Sequence, residues 1–237
     1  MTDTSNAQRI ALVTGASRGI GAATAQALAR GGAHVVLTAR TAQDLEQVEE
    51  AIHADGGTAT IAPLDLTESD SIGRLGGAIA ERWGKLDELV LNAAMLGSLS
   101  PVPQIDGKEF SRVLTLNLLA PQAMIAAFDP LLRRSEAGRL VALTSSVGAQ
   151  PRPFWGAYGA SKAALEALVL SYAQEVERLT AIRCAIVDPG ATRTAMRARA
   201  FPGEDPATLK GPEAVAEVIV NLLGSDFETG RRIRVEG

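Results

Sequence analysis

Residues 9–21 read RIALVTGASRGIG: an apolar, β-branched run from Arg9 to Val13, then Thr14-Gly15-Ala16-Ser17-Arg18-Gly19-Ile20-Gly21. The run has the composition of a buried strand, and the loop behind it opens a helix. Gly15 suits the tight turn after the strand. Gly19 and Gly21 let backbone and helix come close to a pyrophosphate at the helix N-terminus, where free N–H groups and the helix dipole favour anions. The spacing Gly-x-x-x-Gly-x-Gly differs from the Gly-x-Gly-x-x-Gly form. The dinucleotide reading therefore rests on the loop's place behind the first strand, with a second strand ending near residue 39.

Outward from this stretch, short apolar runs alternate with longer segments of helical period. Residues 9–13, 33–38, 86–91, 138–143 and 182–187 read as buried strands; helices are predicted over about 19–31, 42–55, 68–83, 107–135, 156–180 and 212–223. Strands apolar on both faces, alternating with helices, imply a parallel sheet covered on each side. The expected fold class is α/β: a single Rossmann-like doubly wound domain over 1–237, with about seven strands. Arg197 to Pro212, broken by Pro202-Gly203, Pro206 and Gly211-Pro212, is expected to be the most mobile piece.

Composition removes several function classes. The 237 residues are 46% apolar, enough for one well-buried domain and short for two. The formal charge is 23 − 27 = −4, with no basic stripe, so capture of nucleic acid or of an anionic membrane is not expected. The polar start, Met1 to Arg9, has no apolar core of a signal peptide, and no later stretch approaches a membrane span; a soluble, cytoplasmic protein is expected. Cys184 alone makes no internal disulfide, and His34 and His53 are too few and too isolated for a metal site, so no metal is expected.

Chemistry is carried by a second cluster. Tyr158 and Lys162, four residues apart on a helix, share a face, so the ammonium is expected to favour the phenolate and lower a phenol pKa that starts at about 10. Ser145 follows a buried strand, where its hydroxyl can orient a substrate carbonyl beside Tyr158; Thr144 and Ser146 can serve the same purpose. Pro121 has no N–H, so the carbonyl of Asn117 four residues earlier loses its helical partner and the helix should bend there. The second strand ends in Thr38-Ala39-Arg40, with no carboxylate for a ribose 2′-hydroxyl. Arg40 and Arg18 suit a 2′-phosphate instead, which predicts NADP(H) over NAD(H).

As a set these residues resemble the short-chain dehydrogenase/reductase family, over essentially the whole chain. The resemblance includes the loop from Thr14 to Gly21, Asp65-Leu66, Leu91-Asn92-Ala93-Ala94, Asn117, Ser145, Tyr158, Lys162, and Pro189-Gly190 followed by Thr192 and Thr194. It implies that Asn117, Ser145, Tyr158 and Lys162 are the catalytic set, with Ser145 selected by its thirteen-residue spacing to the tyrosine. It also implies an Asn117 carbonyl holding a water in a proton relay with Lys162. The implied cofactor contacts are Gly15, Ser17, Arg18, Gly19, Ile20, Gly21, Arg40, Asp65, Leu66, Asn92, Tyr158, Lys162, Pro189, Gly190, Thr192 and Thr194. Within these, Asp65 would hold the adenine, Lys162 the nicotinamide ribose and Thr194 the carboxamide. Leu91 and Ala94 depart from the family's Asn-Asn-Ala-Gly segment. The sequence ends at Arg234-Val235-Glu236-Gly237, so any C-terminal tail that closes a pocket in relatives is expected to be missing or minimal.

Met95, Leu96, Pro151, Pro153, Phe154, Trp155, Met196 and Phe201 lie in segments expected around the nicotinamide end, suggesting an apolar or aromatic carbonyl substrate. Arg193, Arg197 and Arg199 offer a way to attract an anionic one, such as an acyl thioester on a phosphorylated arm. Small residues Ala160, Ala163, Ala164 and Ala167 permit close helix packing, and by resemblance a homodimer or homotetramer is expected. The expected activity is NADPH-dependent reduction of a ketone or aldehyde, reversible as alcohol oxidation. The alternatives are a 3-oxoacyl thioester reductase and a non-catalytic NADP-binding regulatory protein.

Overall fold

The computed structural model describes residues 8–236. Most of the polar start Met1–Arg9, and Gly237, lie outside the described residues.

The alternation of apolar runs and helices folds into one seven-stranded parallel sheet. Its strands are β1 Ile10–Thr14, β2 His34–Thr38, β3 Thr58–Ile61, β4 Glu88–Leu91, β5 Arg139–Leu143, β6 Arg183–Asp188 and β7 Arg231–Arg234. The order is β3-β2-β1-β4-β5-β6-β7, and every pairing is parallel. Chain order reverses between β1 and β4, where Ala11 pairs with Val35 on one side and with Glu88 on the other. Connections leave in opposite directions there, so a crevice opens at the carboxyl ends of the two strands. The five predicted runs are all strands. The two edge strands, β3 and β7, were not among them.

Side-chain alternation divides the core into two layers. Ile10 and Leu12 face a cluster with Phe128, Leu165 and Val169, while Ala11 and Val13 face one with Leu28, Leu45 and Ile219. The first layer is covered by α3 Ser69–Trp83, α5 Ala120–Leu132 and α7 Gly156–Val176; the second by α1 Gly19–Arg30, α2 Ala42–Ala54 and α9 Pro212–Leu223. Among these, Phe128 and Leu28 have no exposed surface. Each such side chain contributes about 1.5–3 kcal/mol by burial. The chain also forms α4 Gly107–Leu114, α6 Ser146–Ala149 and α8 Ala195–Ala200. Among the described residues no helix is long and apolar enough to cross a membrane.

Two predicted features change on inspection. The segment read as one helix over 107–135 ends at Leu132, and between α4 and α5 it widens into a π turn, Thr115–Leu119, whose end is closed by the Ala120 N–H donating to the Thr115 carbonyl. With no N–H at Pro121, the chain answers the missing partner by widening the helix around Asn117. The segment expected to be mobile, 197–212, is held at several points. It contains most of α8 and a 3₁₀ turn, Pro206–Thr208; the Arg193 N–H donates to the Lys210 carbonyl at 2.9 Å.

Candidate active site

The glycine loop packs against itself and against the strand next door. Gly15 (φ 65°) and Gly19 (φ 57°) adopt left-handed backbone that glycine alone takes without strain. A Cβ on Gly21 would lie 2.2 Å from the Gly15 carbonyl oxygen and 2.5 Å from Asn92 Nδ2, so no other residue fits. Asn92 Nδ2 donates to the carbonyls of Thr14 (2.9 Å) and Gly15 (3.2 Å), and Thr14 Oγ1 accepts from the N–H groups of Asn92 and Ala93. Both amide donors of Asn92, predicted at the cofactor, thus serve the loop; its effect on a bound dinucleotide runs through the cradle it braces. Ser17 and Ile20 lie in the same turn, part-buried.

Arg18 occupies the N-cap position of α1 and Arg40 follows β2; both are exposed, and among the described residues neither reaches a carboxylate within salt-bridge distance. Asp65 Oδ1 accepts from the Thr67 N–H (2.9 Å) and hydroxyl (2.8 Å). Those two bonds hold its carboxyl below the usual range against the opposing effect of burial, with a lesser contribution from Arg40. Leu66 beside it is buried. Across the crevice, a Cβ built on Gly19 would find Thr194 Cγ2 at 3.5 Å. Thr194 in turn caps α8, its hydroxyl accepting from the Arg197 N–H at 3.2 Å. Thr192 Oγ1 donates to the Pro189 carbonyl at 3.0 Å, and Gly190 (φ 62°) donates its N–H to Asp188 Oδ1 at 3.1 Å. The predicted residues of the glycine loop and of the 189–194 segment therefore face one another over one cleft.

At the other end of the cleft, α7 brings Tyr158 and Lys162 onto one face. Lys162 is 2% exposed, donates from Nζ to the Leu143 carbonyl at 2.8 Å, and lies 5.8 Å from the centre of the Tyr158 ring. Three hydroxyls compete at the end of β5. Thr144 Oγ1 donates to Glu166 Oε1, and Ser146 Oγ accepts from Arg152 at 3.5 Å. Ser145, in extended backbone at the N-cap of α6, has no side-chain hydrogen bond among the described residues. Its hydroxyl is the uncommitted one.

Asn117 is fully buried, and all its amide groups are satisfied. Oδ1 accepts from the Met95 N–H (2.8 Å), and Nδ2 donates to the Met95 carbonyl (2.9 Å) and to Ser161 Oγ (3.0 Å). Ser161 Oγ then donates to the Tyr158 carbonyl at 2.7 Å. The side chain of Asn117 thereby ties the loop after β4 to the tyrosine turn. Ser161 was not singled out in the sequence; its signal was its place three residues after Tyr158, on the same helix face.

The expected lowering of the phenol pKa is not what this arrangement gives. Burial pushes Tyr158 above its ordinary range, and the Asp188 carboxylate adds to the rise. Burial also pushes Lys162 down to about 8, opposed by Glu166. Desolvation penalises each charged form, and it outweighs the attraction assumed from spacing alone. Asp188 Oδ2 is itself buried without a hydrogen-bond partner.

The apolar residues predicted around the site separate. Leu96, Val147 and Tyr158 form a small core with Trp155 and Met196 against it. The Tyr158 hydroxyl lies 3.9 Å from Met196 Sδ, and Trp155 stacks between Tyr158 and Phe201 at 6.0 and 5.7 Å. Met95 stays part-buried, but Pro151, Pro153 and Phe154 are exposed; Phe154 has φ 72°. The arginine row is largely engaged. Arg197 forms a bidentate pair with Glu204 at 2.6 Å while covering the Phe201 ring at 3.8 Å, and Arg199 reaches the Gly97 carbonyl at 3.4 Å. A cavity of about 450 Å³ lined by Arg193, Thr194, Arg197, Phe201 and Leu209 lies in this segment, without Tyr158 or Ser145 in its wall.

Comparisons with known proteins give the relatives of the chain as a whole. A family model described as short chain dehydrogenase matches residues 9–205. An Escherichia coli relative named as the uncharacterized oxidoreductase YciK is 40% identical over 221 residues, 92% of this chain and 87% of the relative. A short chain dehydrogenase structure from Salmonella enterica serovar Typhi superposes with a TM-score of 0.93 at 36% identity, covering 97% of this chain and 96% of that one. A structure from Escherichia coli CFT073, complexed with NADPH, gives 0.92 at 39% identity and covers 97% of both chains.

Proposed function

The chain belongs to the short chain dehydrogenase family of oxidoreductases, and from that premise we propose that it is an NADPH-dependent reductase of small, apolar ketones or aldehydes, reversible as an alcohol dehydrogenase. The observation that carries this reading is the free hydroxyl of Ser145 at the end of the strand whose Leu143 carbonyl receives Lys162, with Tyr158 on the same helix face. A binding module gains nothing from that arrangement.

The residues fit a dinucleotide. Gly15, Gly19 and Gly21 leave the backbone bare at the N-terminus of α1, as a pyrophosphate requires. Arg18 and Arg40, exposed and without carboxylate partners among the described residues, suit a 2′-phosphate. The neighbour complexed with NADPH supports the same choice. Asp65, Leu66, Asn92, Pro189, Gly190, Thr192 and Thr194 complete the proposed contacts, directly or by bracing the loops.

Bound NADPH supplies a hydride to the substrate's carbonyl carbon. Ser145 donates a hydrogen bond to the carbonyl oxygen and orients it. Tyr158 gives its phenolic proton to that oxygen as the alcohol forms. Its raised pKa keeps it protonated at neutral pH, and an alkoxide is more basic than any phenolate, so the transfer runs downhill. The Lys162 ammonium, 5.8 Å from the ring centre, then steadies the phenolate. Asn117 holds the Tyr158 turn through Ser161. With Arg197 paired to Glu204, charge steering of an acyl carrier has little support.

We also propose assembly as a homodimer or homotetramer. Leu119, 56% exposed on the π turn, marks the helix as a surface for a second copy.

The test is NADPH oxidation with diketones, aryl ketones, aldehydes and a 3-oxoacyl thioester, with Tyr158→Phe alongside. Turnover should fall by at least about 100-fold in the variant. NADPH should bind more tightly than NADH; equal affinity would remove the 2′-phosphate assignment.

A further inference from the structure

Glu166 has no part in the proposed chemistry, yet it stands one helical turn beyond Lys162, so Tyr158, Lys162 and Glu166 form a stripe down α7. Its side chain is 14% exposed and carries three contacts, one from Thr144 just past β5 and two from β7. Thr144 Oγ1 donates to Oε1, and Arg232 on β7 approaches from Nε and Nη2 at 3.3 Å each. Thr144 lies between Leu143, whose carbonyl receives Lys162, and Ser145. One side chain thus grips the strand end from which both the lysine's acceptor and the free hydroxyl are presented.

We infer that Glu166 is a positioning residue for the Tyr158–Lys162 pair: it fixes the end of β5 through Thr144 and supplies the countercharge that keeps the buried Lys162 an ammonium. Lys162 has little else to keep its proton. Its recorded hydrogen bond among the described residues goes to a neutral carbonyl, and burial penalises the charge. Tyr158, its ring centre 5.8 Å from Nζ, is the other ionisable neighbour on its own helix; Asp188 at the end of β6 acts on Tyr158, and Arg232 stands behind Glu166. Removing the Glu166 charge should release the lysine proton at lower pH; removing Arg232, whose positive charge opposes the ammonium, should do the reverse.

This meaning rests on the reductase reading, but the test needs no substrate. The chain has four lysines, Lys85, Lys108, Lys162 and Lys210, so the side-chain carbons next to each nitrogen can be followed by NMR in protein labelled with ¹³C-lysine. Lys162→Met identifies the Lys162 signal. In Glu166→Gln its titration midpoint should fall by roughly one pH unit, and in Arg232→Gln it should rise. Arg232 is on the exposed edge strand, so its variant reads the effect even where Glu166→Gln fails to fold. A midpoint unchanged in either variant, or moved the same way in both, overturns the inference. Opposite shifts in a chain that turns over none of the carbonyl compounds would uphold Glu166's hold on Lys162 and remove the reductase reading instead.

Discussion

The two banks of the cleft are built on different principles. The glycine-loop bank is bare backbone braced from behind: Gly21 has no room for a Cβ, and the Asn92 side-chain amide pins two consecutive carbonyls. The α8 bank is side chain on side chain: Met196 on the Tyr158 hydroxyl, Trp155 between two rings, Arg197 clamped by Glu204 over Phe201. A backbone site recognises what every dinucleotide shares and tolerates almost no substitution. A bank of apolar side chains can be recut residue by residue, which suits the part of the molecule that meets a particular substrate.

The comparison breaks most readily at Gly21. Gly21→Ala should force the loop apart, costing about 2–3 kcal/mol by overpacking and lowering NADPH affinity by about 100-fold or more through displaced phosphate contacts; thermal melting and a binding titration read both. An ordinary affinity would mean the cradle is softer than its contacts imply.

Between the banks, Lys162 can be read through stability. Its folded pKa of about 8 lies below the ordinary 10.5, so from pH 8 to 10 the unfolded chain binds more protons and stability rises with pH. Lys162→Met removes that penalty. The variant should be the more stable by up to roughly 3 kcal/mol near pH 7, and its advantage should shrink toward pH 10. A gap independent of pH in urea denaturation would contradict the buried ammonium.

Asn92→Ala leaves the Thr14 and Gly15 carbonyls without their donor and should cost about 1–3 kcal/mol, with weaker NADPH binding and little change in the KM of the carbonyl substrate. Glu204→Gln tests the opposite bank. It should leave stability nearly unchanged, as a surface ion pair is screened by solvent, leave NADPH affinity intact and alter the KM of the carbonyl substrate. The comparison sharpens if these two variants separate cleanly by ligand.

The same division explains what could be read from the sequence. Gly15, Gly19 and Gly21 were legible because positive φ and close approach leave one residue type, and Tyr158 with Lys162 because helical spacing fixes a shared face. β3 and β7 were less legible because edge strands are half solvated: Arg231–Arg234 reads RRIR, which carries no apolar signature. Ser145 was singled out from Thr144 and Ser146 by the family spacing to Tyr158 alone; the physical distinction, that the other two hydroxyls are engaged, had to come from the structure. The arginine row looked free until Glu204, seven residues from Arg197, closed on it. The direction of the Tyr158 shift was hidden for a related reason, since spacing reveals the lysine but not the dry packing around the phenol.

The π turn at Thr115–Leu119 has a consequence for how such a chain can vary in length. A helix with one residue too many turns everything beyond it by about 100° relative to an α-helical continuation. That rotation lets Asn117 face inward while Leu119 faces out, and α5 still presents Met124 and Phe128 to the sheet. Losing a single residue here would be a frame error in three dimensions: the helix would heal, and either the asparagine or the core face would be left pointing the wrong way.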